Sequence, residues 1–170
     1  MTPEPVIIPK SRPSVAVAVL SACLLLSGCQ RSGNDDSGDG NGEENAPEVV
    51  YPAETYQNLP FSDAVRVGNM LYLSGSIGVL PGTLDLAEGG IQAETRQTME
   101  NIRTTLEKYG SSMDRIVKCT IMLADISEWN AMNEVYVSFF PGHKPARSAF
   151  GADGLALDSR VEIECMATVD

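Results

Sequence analysis

The sequence predicts an α+β domain in which two helices cover one face of a β-sheet. Two observations predict it. Short apolar runs, several with every second residue apolar as in strands, stand at both ends of the region 51–170, and a further run lies in the middle. Two longer segments repeat apolar residues at three- and four-residue steps, as helices do. The elements follow in the order ββ-α-β-α-ββ, which favours one layer of sheet and one layer of helices.

A β-hairpin opens the predicted sheet. The apolar runs at residues 64–67 and 70–74 are separated by Gly68-Asn69, and a two-residue connection of this type is a strong hairpin signal. Residues 74–78 then contain mostly small side chains, which let a backbone approach a ligand closely.

Both helices are amphipathic. The first is predicted over residues 91–109, with Gly110 as its stop. A strand at residues 116–123 precedes the second helix, which begins after Asp125 or Ser127 as cap and ends at Pro141-Gly142. We interpret the apolar stripe of the second helix as core packing; it consists of Trp129, Met132, Val135, Tyr136 and Phe139.

Two strands, around residues 147–150 and 160–169, complete the sheet. In the last strand one face is apolar, whereas Glu162 and Glu164 belong to the other face. Helices on one side leave the second side of the sheet uncovered, so we expect further copies of the chain to cover it.

The region before the domain divides into a leader and a tether. Residues 15–26 are an apolar run, which is followed at once by Leu26-Ser27-Gly28-Cys29. This arrangement resembles the lipobox of bacterial lipoproteins, and predicts a leader at 1–28 and lipidation of Cys29. The alternative is a buried helix, which would need a polar face that the run lacks. Residues 29–50 are acidic and rich in Gly and Ser, and predict a flexible tether.

Charge and cysteine content exclude some classes of function. The net charge of −11 argues against nucleic acid as a partner, because nucleic-acid-binding surfaces are basic. Within the domain only Cys119 and Cys165 remain; we expect free buried thiols, with a disulfide as the alternative if the two strands are neighbours. With His143, which we place in a loop, they form no recognisable metal site.

Six segments of the domain resemble the RidA/YjgF family of enamine/imine deaminases. They occur in the family's order and with compatible spacing. The segments are residues 67–75, residues 97–102, Ile116-Val117-Lys118, residues 133–140, Pro145-Ala146-Arg147-Ser148 and Val161-Glu162-Ile163-Glu164.

The resemblance implies a fold, an assembly and a reaction. The fold is a chorismate-mutase-like α+β fold, assembled as a homotrimer with a central barrel and with pockets between subunits. The reaction is hydrolysis of 2-imino acids to 2-keto acids and ammonia, with neither a metal nor an organic cofactor.

The resemblance also assigns roles to individual residues, each with an ordinary alternative. Arg147 would bind the substrate carboxylate, or else form a surface salt bridge. Glu162 would activate water, or else be a solvated strand residue. Asn133 and Ser74 would contact the substrate, or else serve as a polar helix residue and a turn residue.

Three positions depart from the family pattern and put substrate preference in doubt. Phe61 stands where tyrosine is frequent, so ring packing is kept without the hydroxyl. Ala149 replaces a frequent cysteine and leaves only its backbone for the ligand. Ser76 stands where glutamine is common.

Three functions remain open from the sequence. The first is an exported, lipid-anchored deaminase. The second is a non-enzymatic protein that binds small carboxylates, and the third a structural lipoprotein with a vestigial pocket. The predicted location is the periplasmic face of the envelope, on the outer membrane if the host is Gram-negative, because Gln30 and not aspartate follows Cys29.

Overall fold

A computed structural model of the chain describes residues 46–51 and 59–170. The predicted leader, Cys29 and the greater part of the tether lie outside the described residues. Neither helix within the described ranges is both long and apolar enough to cross a membrane.

The first four strands are short and belong to the N-terminal half of the sheet. They are β1 (Val49–Val50), β2 (Ala64–Val67), β3 (Met70–Leu73) and β4 (Ser76–Ile77). The predicted hairpin is confirmed, since Val67 pairs with Met70 across the turn. Gly68 has φ 58°, a left-handed conformation that glycine adopts without steric cost. The strand β1, at the end of the predicted tether, pairs with β2.

The two helices lie close to the predicted positions. Helix α1 spans Ile91–Lys108, and α2 spans Trp129–Tyr136 between single 3-10 turns at Ile126–Glu128 and Val137–Phe139. Asp125 caps the 3-10 turn before α2, because its side chain accepts the backbone N–H of Ser127 at 2.8 Å, whereas α2 itself begins after Glu128 without a side-chain cap.

Three longer strands form the second half of the sheet: β5 (Ile116–Leu123), β6 (Ala146–Gly151) and β7 (Val161–Thr168). The strand order is β1-β2-β3-β7-β5-β6, and β4 pairs with β7 beyond the end of β3. Only β5 and β6 are parallel among these pairs, because α2 connects them as a crossover. The β6 strand therefore lies at one edge of the sheet.

The core lies between the sheet and the helices, as the sequence predicts. Alternate residues of β7 point into it, and Val161 and Ile163 are completely buried. Helix α1 contributes Met99 and Leu106, which are also completely buried. On the opposite face, which we call the open face, Tyr72 remains 41% exposed and Phe150 49% exposed.

The expectation of two free thiols is wrong. Cys119 and Cys165 form a disulfide. They are direct register partners on the antiparallel strands β5 and β7, with their Cα atoms 4.1 Å apart. Both side chains face the helices and are buried. The pairing depends on β5 lying beside β7, which local sequence patterns do not determine.

Candidate active site

The guanidinium group of Arg147 lies against one face of α2. Arg147 is half-buried on β6, and its Nη1 donates a hydrogen bond to Asn133 Oδ1 at 2.5 Å. Its Cζ lies 5.1 Å from the ring centroid of Trp129 and 5.0 Å from that of Tyr136. Within the described ranges no carboxylate pairs with Arg147, so it does not form the surface salt bridge that was the ordinary alternative.

Sequence analysis assigned Trp129 and Tyr136 to the core and did not recognise their contact with Arg147. The signal was present in the spacing. Residues 129, 133 and 136 recur at steps of four and three, which places them on one face of a helix. A polar residue between two aromatic residues on that face indicates more than apolar packing.

Tyr136 is the fixed inner part of this arrangement. It is 5% exposed, and its ring contacts Phe140 with the centroids 4.9 Å apart. Burial raises the pKa of Tyr136 to about 12, although the positive charge of Arg147 acts in the opposite direction. The phenol therefore stays protonated, and in the described part of the chain its hydroxyl has no hydrogen-bond partner.

A groove opens beside Arg147 at the end of α2. Its volume is about 840 Å³, and its walls come from α2 and from the segment that leads into β6. The lining residues are Asn130, Asn133, Glu134, Tyr136, Val137, Lys144, Pro145 and Arg147. Glu134 accepts a hydrogen bond from Gln92 at 2.7 Å, so one of its oxygens is already engaged. A small anion can reach Arg147 from this groove.

Glu162 lies on the open face and not beside Arg147. It is a half-buried residue of β7, paired with Ile77 of β4 and with Met122 of β5. A Cβ atom at position 75 would overlap Glu162 Oε1, so Gly75 leaves the room that the carboxylate occupies. Burial raises the pKa of Glu162, and the neighbouring carboxylate of Glu164 raises it further.

One chain does not bring Arg147 and Glu162 together. Arg147 is in register with Cys119 and shares the helix-covered face, whereas Glu162 is in register with Met122 on the open face. The two residues are two strands and three positions apart, which corresponds to about 14 Å between their Cα atoms. Their side chains also point to opposite sides of the sheet.

The remaining predicted site residues are scattered in one chain. The hydroxyl of Ser74 donates to the backbone carbonyl of Ser62 at 2.6 Å, so it joins two loop segments. Phe61 is 52% exposed next to this loop. Ala149 lies two residues beyond Arg147 on β6 and packs against the core. His143 is exposed and contacts the carbonyl of Asp114, as expected of a loop histidine. The described residues contain no cluster of metal-ligating side chains.

The chain belongs to the family described as Endoribonuclease L-PSP, which includes the RidA and YjgF proteins, and the match covers residues 53–169. The resemblance recognised in the sequence is thereby confirmed, and so is the YjgF-like α+β fold.

Named relatives include two deaminases. Reactive Intermediate Deaminase A of the Arabidopsis thaliana chloroplast is 36% identical over 65% of this chain, and the match spans 59% of the Arabidopsis protein. The human 2-iminobutanoate/2-iminopropanoate deaminase is 39% identical over 64% of this chain and 79% of its own length.

A solved structure of E. coli TdcF with bound serine resembles this chain with a TM-score of 0.62. The two are 30% identical, and the match covers 66% of this chain and 90% of TdcF. The chain is therefore related, at moderate identity, to deaminases and to a protein that binds a small amino acid.

Proposed function

We propose that this protein hydrolyses 2-imino acids and their enamine tautomers to 2-keto acids and ammonia. The observation that carries the proposal is Arg147, a cation held by Asn133 and two aromatic rings at a groove, with no carboxylate partner in the described residues. A guanidinium in this state has donors left for a two-pronged bond to a substrate carboxylate. The names of the plant and human relatives support the imine class of substrate.

We further propose that the active site forms between copies of the chain, in a homotrimer. Arg147 and Glu162 point to opposite faces of one sheet, so a neighbouring copy is needed to place both at one substrate. The exposed Tyr72 and Phe150 on the open face support burial against such a copy. The outer edge of β6 carries backbone groups that no described strand of this chain pairs with, and these are suited to the same contact.

The proposed reaction needs position and one acid–base group. Arg147 holds the carboxylate and fixes the imine carbon near a water molecule. Glu162 of the neighbouring copy, as a carboxylate, accepts a proton while the water oxygen bonds to the imine carbon. The imine reacts in its protonated form, so the carbinolamine nitrogen already carries two protons and gains a third from Glu162. The C–N bond then breaks and ammonia leaves, while the second proton of the water is released to solvent as the keto group forms. Glu162 ends the cycle deprotonated.

The test uses imino acids generated in situ by an amino-acid oxidase, with keto acid formation followed in the presence of the full chain. We expect acceleration above the spontaneous rate, and a loss of about 100-fold in kcat/KM for Arg147→Ala, because the substrate is no longer held. Arg96→Ala, which removes an exposed arginine of α1, is the matched control. Binding of 2-ketobutyrate without any acceleration would contradict an enzyme and leave a carboxylate-binding protein.

We also propose that the chain is a lipoprotein anchored through Cys29 on the periplasmic side of the envelope. The lipobox-like segment supports this location. The Cys119–Cys165 disulfide supports it independently, because disulfides persist in oxidising compartments and are rare in the cytosol. An imine-producing oxidase or dehydrogenase outside the cytoplasm would then supply the substrate.

Cell fractionation with thiol labelling tests this location. The wild-type chain should fractionate with membranes and, once unfolded in denaturant, resist alkylation at Cys119 and Cys165 until it is reduced. Cys29→Ser should leave the membrane fraction while keeping the disulfide. Free thiols in the domain together with a membrane-independent wild type would rule out the proposal.

A further inference from the structure

Trp129 contacts Arg147 but lies outside the groove. Sequence reasoning had assigned this residue to the core. Its indole ring faces the guanidinium with 5.1 Å between the Arg147 Cζ and the ring centroid, yet it is not among the residues that line the groove. A ligand in the groove therefore meets Arg147 rather than Trp129. Trp129 can act on such a ligand through Arg147.

We propose that Trp129 is a positioning residue that holds the guanidinium plane of Arg147 for the substrate carboxylate, and that its indole senses occupancy of that site. The proposal rests on the proposed function and deepens it. Arg147 extends from an edge strand, where a long side chain would sample many rotamers. The flat face of Trp129 and that of Tyr136 restrict it from two directions, and Asn133 fixes one nitrogen.

The place of Trp129 is itself secured at the start of α2. The preceding residue, Glu128, forms a salt bridge of 3.1 Å with Arg160, next to the start of β7. The backbone N–H of Arg160 in turn donates to Glu94 Oε2 of α1 at 2.8 Å. These contacts tie the first residues of α2 to α1 and to the sheet, so the indole offers a fixed surface rather than a mobile one.

A packing role and a positioning role make different demands on residue 129. Trp129 is only half-buried and lies at the margin of the core, so Leu or Met could replace its apolar contacts. Neither offers an aromatic face to a cation, whereas Phe does. If Trp129 positions Arg147, the variant with Phe at position 129 should keep its affinity for the carboxylate. The variants with Leu or Met there should lose part of that affinity.

The first measurement needs no variant, because Trp129 is the single tryptophan of the chain. A carboxylate bound to Arg147 neutralises the charge beside the indole, so 2-ketobutyrate should change the tryptophan emission of the full chain saturably. The midpoint should equal the concentration that half-inhibits turnover at low substrate. N-acetyltryptophanamide corrects for absorption by the ligand, Arg147→Ala should abolish the change and Arg96→Ala should keep it.

The second measurement compares kinetics across Trp129→Leu, Trp129→Met and Trp129→Phe. Leu and Met should raise KM and the dissociation constant of 2-ketobutyrate about 3- to 30-fold with a smaller change in kcat, while Phe stays within about threefold of wild type. Thermal unfolding identifies a Trp129 variant that has lost its fold. The emission titration of the wild type tests the proposal even if every variant fails to fold.

Failure of this inference differs from failure of the proposed function. If 2-ketobutyrate inhibits turnover while Trp129 emission stays constant, or if folded Leu, Met and Phe variants bind alike, the positioning role is wrong and the deaminase stands. If the wild type neither accelerates hydrolysis nor binds 2-ketobutyrate, both are overturned together.

Discussion

Arg147 and Glu162 owe their properties to different surroundings. The arginine lies beside an amide oxygen and two aromatic rings, which hold a cation in place without neutralising it. The glutamate lies over Gly75 with Glu164 two residues away on the same face of β7. Burial and this second negative charge both raise the pKa of Glu162. One residue is thereby suited to bind an anion, and the other to accept a proton.

The raised pKa of Glu162 gives a pH prediction. The proposed base acts as a carboxylate, so kcat/KM should fall as the pH decreases through a pKa above the usual range of glutamate. Glu164→Gln removes the nearby negative charge, which should lower that pKa and move the acid limb to lower pH. Burial remains, so the shift should be partial.

The measurement is the pH profile of kcat/KM for wild type and Glu164→Gln on the same substrate. Ionisation of the substrate affects both proteins equally. The difference between the two profiles therefore reports the ionisation of a group on the enzyme. An acid limb that stays in place, or moves to higher pH, would contradict Glu162 as the base.

At the residue scale, sequence reasoning proposed polar candidate residues but not the aromatic residues that contact Arg147. Arg147, Asn133 and Glu162 were recognised because they stand in segments that resemble a family. Trp129 and Tyr136 were overlooked because their spacing was already explained by a buried helix stripe, and core packing and cation binding produce the same periodicity. Glu162 and Arg147 lie on opposite faces of the sheet because of the register between strands. The identity of single residues does not reveal this register.

At the scale of elements, the segments with a clear apolar period were predicted from the sequence, whereas the two-residue strands were not. The strand Ile116–Leu123 has the predicted bounds, and α1 ends one residue before the predicted end at Tyr109. The strands β1 and β4 were missed, since two residues are too few to show any alternation.

The disulfide was only the alternative to free thiols in the sequence analysis, for a different reason. It joins two cysteines that are 46 residues apart in sequence, and only the strand order β7-β5 makes Cys119 and Cys165 neighbours. The parallel pairing of β5 with β6 was not stated from the sequence either, although a strand-helix-strand connection of this length favours it. Sequence reasoning thus did not predict which distant strands pair with each other.

At the scale of the whole molecule, the proposed active site is divided between two surfaces of one chain. The groove with Arg147 lies on the side of α2, and Glu162 lies on the open face of the same sheet. A cyclic assembly in which the open face of one copy meets the β6 edge of the next would join one of these surfaces from each. It would also bury Tyr72 and Phe150, which a solitary chain leaves exposed.

Complementation between two inactive variants tests this account most directly. Arg147→Ala and Glu162→Gln are each expected to be inactive alone. When equal amounts are unfolded and reassembled together, an interface can combine an intact Arg147 from one variant with an intact Glu162 from the other. Random mixing around a closed ring should restore about one quarter of the wild-type activity. Each variant reassembled alone should stay inactive, and mixed assemblies that remain equally inactive would contradict an active site shared between copies.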